Sequence, residues 1–209
     1  PSGLILGQDG SISGISNQIG STNHTITGSN NGGSANASLN INTIHASPDS
    51  IEYGGESFTF SIGQPVTLSP ISSGGQITGW SVNPDLLPGL SISQSGVISG
   101  IPSVLQPTLE YTITAENSGG SAIASILIEV IDLSIWDLEY PQHSFDLSVG
   151  DIIPTTSPSW GGGSPTSWHV SPPLPNGFQM DQGTGEISGT ATDLQEWSTH
   201  TIWANNTGG

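Results

Sequence analysis

The residues in this sequence that could perform catalysis are histidines, acidic residues and serines. There are five histidines, at His24, His45, His143, His169 and His200, and no two of them have the His-x-x-x-His spacing of a metal pair. Cysteine is absent, which excludes thiol nucleophiles and zinc–thiolate sites. The acidic residues are not clustered as an acid–base pair in a cleft would be. We therefore predict that the segment is not an enzyme.

Calcium is the metal that the acidic residues suit best, because hard cations prefer several oxygen ligands. Asp132, Asp137 and Glu139 lie close together in the sequence, and Asp49 with Glu52 forms an earlier acidic pair. The first three are the candidate calcium ligands. The alternative is that they form a solvated acidic linker. No other cofactor is expected.

Three Asn-x-Ser/Thr sequences are candidate N-glycosylation sites, with the acceptors Asn23, Asn36 and Asn205. In a chain this rich in Asn, Ser and Thr, such sequences also arise by chance. A sugar coat would suit an exposed fibre.

Charge excludes two classes of partner. The chain has no Lys or Arg against 17 acidic residues, which gives a formal net charge of −17. Nucleic-acid binding needs cationic side chains that displace counterions, and attraction to anionic lipid needs them too. No apolar run approaches the roughly 20 residues of a membrane helix. We therefore expect no nucleic-acid partner and no membrane insertion in this segment.

The sequence repeats internally, with a period of about 87 residues. An Ile-Ser-Gly motif ends at Gly14, Gly100 and Gly189, which are 86 and 89 residues apart. Gly-Gly pairs recur 87 and 89 residues apart, and Trp80 is matched by Trp168. Such a period is typical of tandem modules.

The repeats divide the chain into three parts. We predict the C-terminal half of a module over residues 1–46, a complete module over 47–132, and a module without its last strand over 133–209. A sandwich that lacks half its strands would expose its core and sheet edges. We therefore expect the parent chain to continue at both ends, and we expect neighbouring repeats to be partners within it.

Apolar residues alternate with polar ones in short runs, as they do in half-buried β-strands. Phe58, Phe60 and Ile62 alternate with Ser and Thr, and Ile126 and Val130 share one face of a final strand with Ile128. Turn residues separate these runs about every ten residues. About seven short strands without helical periodicity predict an all-β fold of Greek-key β-sandwiches. In such a sandwich Trp80 and Trp168 are expected in the cores, and Tyr111 at a tyrosine corner.

The complete module carries a specific resemblance. Its sequence contains a Leu-Pro-Gly-Leu turn from Leu87, a Gly-Val-Ile-Ser-Gly-Ile-Pro corner from Gly96, and Tyr-Thr-Ile-Thr-Ala-Glu-Asn-Ser-Gly-Gly from Tyr111. This pattern resembles the immunoglobulin-like repeats of bacterial and archaeal surface proteins, which are close to cadherin-like and dystroglycan-type modules. The resemblance implies an extracellular, cell-surface location and no catalytic residues. The calcium-binding linker pattern of cadherins is missing.

The third module has extra tryptophans. The aligned residues of the second module are small and polar, as expected on a solvent-exposed β surface: Trp160 aligns with Ser72, Trp197 with Thr108 and Trp203 with Thr114. Exposed aromatic residues often mark contact sites. These three are therefore the candidate contact residues, for a glycan or an identical chain in a fibre. The alternative is that a different loop conformation buries them locally.

Three functions fit these observations. The leading hypothesis is a structural spacer, stalk or filament element of a large surface protein. The second is an adhesin-type module that recognises carbohydrate or protein through one repeat. The third and weakest is a noncatalytic appendage of a secreted enzyme.

Overall fold

The computed structural model describes residues 1–209 and contains twenty β-strands and no helix. The predicted all-β fold is confirmed. The chain accordingly has no helical segment that could span a membrane.

The first repeat consists of two hairpins. Strands β1 (Leu4–Leu6) and β2 (Ile12–Gly14) pair across a short turn. Strands β3 (Gly20–Asn30) and β4 (Gly33–Thr43) form a long hairpin, which is paired without interruption from Gly20↔Thr43 to Asn30↔Gly33. The outward faces of β3 and β4 carry Ser, Thr and Asn.

The second repeat is a two-sheet sandwich. Its strands are β5 (Pro48–Glu52), β6 (Ser57–Ser61), β7 (Val66–Leu68), β8 (Ile71–Gly74), β9 (Gly79–Asn83), β10 (Leu90–Ile92), β11 (Ile98–Gly100), β12 (Gln106–Asn117) and β13 (Gly120–Ile131). One sheet has the order β6-β13-β12-β9, and the other has the order β10-β11-β7. Strands β5 and β8 pair separately. Strand β6 runs parallel to β13, whereas the other pairs are antiparallel.

The core of the second repeat follows from the alternation along its strands. Thirteen buried residues form one cluster. Tyr111 and Ile113 of β12 lie in it, and so do Ile126, Ile128 and Val130 of β13. Successive side chains of a strand point to opposite faces, so one face of β12 and β13 fills the core while the other meets water. The predicted core face of the last strand is confirmed.

The third repeat follows the same plan. Its strands are β14 (Ile135–Glu139), β15 (Ile152–Thr156), β16 (Ser159–Gly162), β17 (Ser167–Ser171), β18 (Phe178–Met180), β19 (Ile187–Thr190) and β20 (Thr201–Asn205). They form the sheets β15-β19-β18, β14-β16 and β17-β20. The pairing of β17 with β20 matches that of β9 with β12 in the second repeat.

One segment of the third repeat departs from its counterpart. Residues 144–148 match β6 in sequence, yet they form no strand. In the second repeat β6 is held by parallel pairing with β13, and residues 133–209 contain no counterpart of β13. The alternating pattern is present in both segments, but only one of them has a backbone partner.

The predicted core aromatic residues are placed differently in the two repeats. Trp168 is 5% exposed, whereas Trp80 is half-buried at the edge of its core. Tyr111 is fully buried, and its hydroxyl donates to Oε1 of Gln106 at 3.0 Å. The expected bond back to the preceding chain therefore exists, and its acceptor is a side chain.

Candidate functional site

The junction between the first and second repeats is held by one asparagine. Asn117 is the last residue of β12, at the turn into β13, and its Nδ2 donates to the carbonyl oxygens of Ala46 at 2.7 Å and Gln76 at 2.8 Å. Its Oδ1 accepts from the backbone N–H groups of Gly119 and Gly120. One side chain thus joins the turn, the linker and the loop before β9.

A hydroxyl group adds a second bond to this junction. The Oγ of Ser118 accepts a hydrogen bond from the backbone N–H of His45 at 3.1 Å, and it lies 2.9 Å from Nδ1 of the same histidine. The carbonyl oxygen of Ser47 accepts from the N–H of Gly75 at 2.8 Å. Each linker residue from 45 to 47 is therefore hydrogen-bonded to the second repeat.

The junction between the second and third repeats has the same construction. The Nδ2 of Asn206 donates to the carbonyl oxygens of Leu133 at 2.9 Å and Ser164 at 3.4 Å. Thr207 Oγ1 accepts from the N–H of Asp132 and donates to its Oδ2, both at 2.8 Å. We call each arrangement a linker clamp: residues 117–119 on linker 45–47, and residues 206–208 on linker 132–134.

The Gly-Gly pair of the repeat motif belongs to this clamp. A Cβ atom on Gly119 would lie 2.0 Å from the carbonyl oxygen of His45, and one on Gly208 would lie 2.2 Å from that of Asp132. Any other residue would push the linker away. The pair therefore provides the close approach of turn and linker as well as the turn itself.

The linker clamps leave little free chain between repeats. Strand β4 ends at Thr43, and the first clamped residue is His45, so that only Ile44 lies between them. Strand β13 ends at Ile131, and the next residue is already clamped. The geometry of each junction thus depends on very few backbone torsions.

The candidate calcium ligands are not brought together. The structure contains no group of three His, Asp or Glu side chains that could hold a metal ion. The carboxylate of Asp132 is bonded to Thr207. Asp137 lies in the irregular part of the pairing between β14 and β16, with a φ of 57°. Asp132, Asp137 and Glu139 therefore do not form a single site.

The glycosylation candidates are all exposed on strands. Asn23 and Asn36 lie on β3 and β4, where Oδ1 of Asn23 accepts from Asn40 and Oδ1 of Asn36 accepts from Thr27. Asn205 is the last residue of β20. The hydroxyl of its sequon, on Thr207, is engaged by the linker clamp. Modification of these sites remains a prediction.

The candidate contact tryptophans are exposed to different degrees. Trp197 is 73% exposed in the segment before β20, Trp203 is 43% exposed and Trp160 is 39% exposed. The ring of Trp160 meets that of Trp168 edge-on, with 5.7 Å between centroids. The ring of Trp203 stacks on His169 at 5.5 Å. The structure thus brings Trp160 to the core tryptophan, Trp203 to a histidine, and Trp197 to neither.

One exposed aromatic residue was missed by the sequence analysis. Trp136 of β14 is 62% exposed, and its ring lies directly over Gly161 and Gly162 of β16. Trp136 and Gly161 are paired residues of the two strands. In the second repeat the aligned residues are Asp49 and Ser73. The third repeat thus has Trp in place of Asp and Gly in place of Ser at two paired positions, and this double difference could have identified Trp136 from the sequence.

Comparison with known families agrees with the strand order. Residues 40–130 match the family model described as "Putative Ig domain". The matched residues are those of the second repeat, and the third repeat has equivalent strands, so the chain has the fold of tandem immunoglobulin-like sandwiches. No curated protein matches the sequence.

Several solved structures are similar to this chain at low sequence identity and with TM-scores below 0.5. A Bacteroides fragilis protein that carries the name alpha-galactosidase is 21% identical, with a TM-score of 0.35; the match covers 43% of this chain and 19% of that one. The N-terminal eight Ig domains of Down syndrome cell adhesion molecule are 15% identical over 98% of this chain and 30% of theirs, with a TM-score of 0.40. An I-band fragment of titin is 16% identical over 89% of this chain and 70% of its own, with a TM-score of 0.42. The chain thus spans less than a third of the first two proteins.

Proposed function

We propose that this chain is a stiff spacer segment of a large extracellular, cell-surface protein. The observation that carries the proposal is the recurrence of the linker clamp at both junctions, with the same asparagine and the same Gly-Gly pair. A flexible linker would let successive domains reorient freely. A linker whose residues are hydrogen-bonded to the following domain fixes the direction in which that domain leaves its predecessor.

Charge supports an extended arrangement. The chain has no Lys or Arg, and the second and third repeats contain eight carboxylate side chains each, against one, that of Asp9, in the first. The second and third repeats therefore repel each other. Such repulsion disfavours folding of one repeat back onto another. It is screened over a Debye length of about 8 Å at physiological ionic strength, so the clamp must supply the stiffness and repulsion only assists it.

The experiment that tests the spacer is small-angle X-ray scattering on chains with altered clamps. Asn117→Ala together with Asn206→Ala removes the asparagine bonds to Ala46 and Leu133 in the two linkers, while the bonds of Ser118 and Thr207 to the linkers remain. The matched control is Asn30→Ala, because Asn30 is the equivalent residue of the first repeat and makes only the turn bond to Gly32. We expect the double variant to show a broader distribution of interatomic distances, and the control to match the unaltered chain.

Stability must be followed in the same variants. Each lost hydrogen bond costs about 1 kcal/mol, so the second repeat should remain folded in the double variant. If scattering from the double variant were identical to that from the unaltered chain, the clamp would not determine the geometry of the junctions, and the spacer proposal would lose its basis.

A second candidate function is an adhesin-type or self-assembly contact through the third repeat. The observation that favours it is the exposure of Trp197 and Trp203 at positions where the second repeat has Thr108 and Thr114. Burial of one large aromatic side chain against a partner contributes on the order of 1.5–3 kcal/mol. Replacing both tryptophans by Thr should abolish assembly or glycan binding while the melting temperature is maintained. A large fall in melting temperature with assembly intact would make them core residues.

A further inference from the structure

The outward face of β17 and β20 carries a regular array of side chains. The paired residues on this face are Ser167↔Asn205, His169↔Trp203 and Ser171↔Thr201, and all six are exposed. We call these six residues the β17–β20 grid. Its middle row is the stacked pair of His169 and Trp203, at 5.5 Å and an interplanar angle of 30°. Rows are two residues apart, which is about 7 Å along a strand.

The polar groups of the grid are free. The nearest side-chain hydrogen bonds are made by Thr166 and His200, which precede the two strands; Thr166 donates to the backbone carbonyl of Asn205 and leaves the side chain of Asn205 free. The hydroxyl and amide groups on either side of the aromatic pair therefore have no protein partner. A flat aromatic centre between two rows of neutral donors and acceptors can stack on one ring and bond to groups on both sides of it.

The second repeat provides an internal comparison. The same register in β9 and β12 places Ser81 opposite Thr114 in the middle row, with Asn83↔Thr112 and Gly79↔Glu116 beside it. That face has no aromatic residue, and it includes a carboxylate. The fold of the repeat therefore does not require His169 or Trp203 on this face.

The face continues over an open strand edge. Strand β17 pairs only with β20, and beyond its other edge lies a cavity that is lined by His169 and by Gln179 and Gln182 of the neighbouring strand and turn. In the second repeat the residue aligned with Gln179 is Ser91. His169 thus belongs to both the grid and the cavity, which extends the surface beyond a single ring.

We propose that the β17–β20 grid binds a neutral saccharide from outside the protein. Trp203, supported by His169, would stack on the C–H face of a sugar ring, and the flanking Ser, Thr and Asn groups would bond to its hydroxyls. An anionic ligand is disfavoured because the chain has no Lys or Arg against 17 acidic residues. This inference rests on the contact role proposed for the third repeat and names the ligand class.

The test measures binding of bacterially expressed, unglycosylated chain 1–209 to an immobilised panel of neutral glucan, galactan, mannan and chitin oligosaccharides. A proline-rich peptide is included as an alternative ligand for an aromatic surface. We expect at least one oligosaccharide to bind, and Trp203→Thr to weaken that binding by about tenfold or more. Trp203→Phe keeps an aromatic face and should retain most of the binding.

Two variants make the assignment specific. Trp136→Asp restores the residue of the second repeat at an aromatic position on a different sheet, and it should leave saccharide binding unchanged. The five-fold change Gly79→Ser, Ser81→His, Ser91→Gln, Thr114→Trp and Glu116→Asn gives the second repeat the aromatic row, the polar row of Ser and Asn, and the neighbouring glutamine, and it should raise the stoichiometry from one site to two. Melting temperatures of all variants establish that they are folded.

Three results would overturn the proposal. They are binding to no oligosaccharide of the panel, binding that Trp203→Thr leaves unaltered in a folded chain, and binding to the peptide alone. Loss of self-assembly in Trp203→Thr without any saccharide binding would retain the contact role of the third repeat and exclude a saccharide as its ligand.

Discussion

The phenol of Tyr140 donates a hydrogen bond to the carbonyl oxygen of Gly185, at 2.5 Å and across 45 residues of sequence. Gly185 has a φ of +73°, and it lies against the indole ring of Trp168. Tyr53 makes the equivalent bond to Gly96 at 2.6 Å. A single glycine therefore links the segment after the first strand of a repeat to the tryptophan of its core.

Replacing this glycine should destabilise the third repeat. A Cβ atom on Gly185 would lie 2.6 Å from the ring of Trp168, at a φ that favours glycine. We expect Gly185→Ala to lower the free energy of unfolding by about 2 kcal/mol or more, measured by urea unfolding with tryptophan fluorescence. Gly183→Ala is the control in the same turn, because its nearest neighbour is the flexible carboxylate of Asp181 at 3.3 Å. Equal effects of the two changes would contradict this account.

Alkaline pH should destabilise the chain through two tyrosines. Burial raises the pKa of Tyr53 to about 12 and that of Tyr140 to about 12. An unfolded tyrosine loses its proton near pH 10, so the unfolded state binds fewer protons than the native state above that pH. These two tyrosines therefore leave the free energy of unfolding unchanged below about pH 10. As the pH rises from 10 to about 12, they lower it.

The chain suits this measurement because it has no lysine and only three tyrosines. Melting temperatures from pH 9 to 12.5 should show the fall, and the double change of Tyr53→Phe and Tyr140→Phe should reduce it. An unchanged pH profile in the double variant would show that other groups are responsible.

Salt should stabilise the chain. The carboxylates have no cationic partner among Lys and Arg, so the native state repels itself, and added salt screens this repulsion. We expect the melting temperature to rise from low ionic strength to marine-like salt. At pH values below the carboxyl pKa the charges are neutralised, and the salt dependence should become smaller. A flat profile at neutral pH would contradict the self-repulsion argument.

Calcium should bind weakly or not at all at the junction between the second and third repeats. The carboxylate of Asp132 is bonded to Thr207, and no three acidic or histidine side chains converge. Isothermal titration should therefore show no tight site. Tight binding with a stoichiometry near one per linker would mean that the acidic residues rearrange around the ion, and Thr207→Val would then strengthen it by freeing Asp132.

Much of the architecture could be predicted from the sequence. A strand exposes its two faces alternately, so the alternation of Ile126, Ile128 and Val130 with polar residues is sufficient to identify a core face. Repetition of the same turns and of Trp80 and Trp168 identifies a tandem all-β protein. The absence of Lys and Arg predicts that nucleic acid is not a partner. The strand alternation can be recognised within a few residues, and the repeats and the charge can be recognised by comparing or counting residues, so none of them requires the tertiary structure.

The remaining features depend on partners that are distant in sequence. Residues 144–148 carry the pattern of β6, but a strand requires a neighbour to accept its hydrogen bonds, and β13 has no counterpart beside them. The linker clamp joins Asn117 to Ala46 and Asn206 to Leu133, across 71 and 73 residues, and a polar turn residue has no periodicity that would reveal such a partner. Cross-strand register likewise placed Trp203 on His169. The sequence determined which faces are apolar, and only the packed structure decided which backbone and side-chain groups meet, because those distances are set by the whole sandwich.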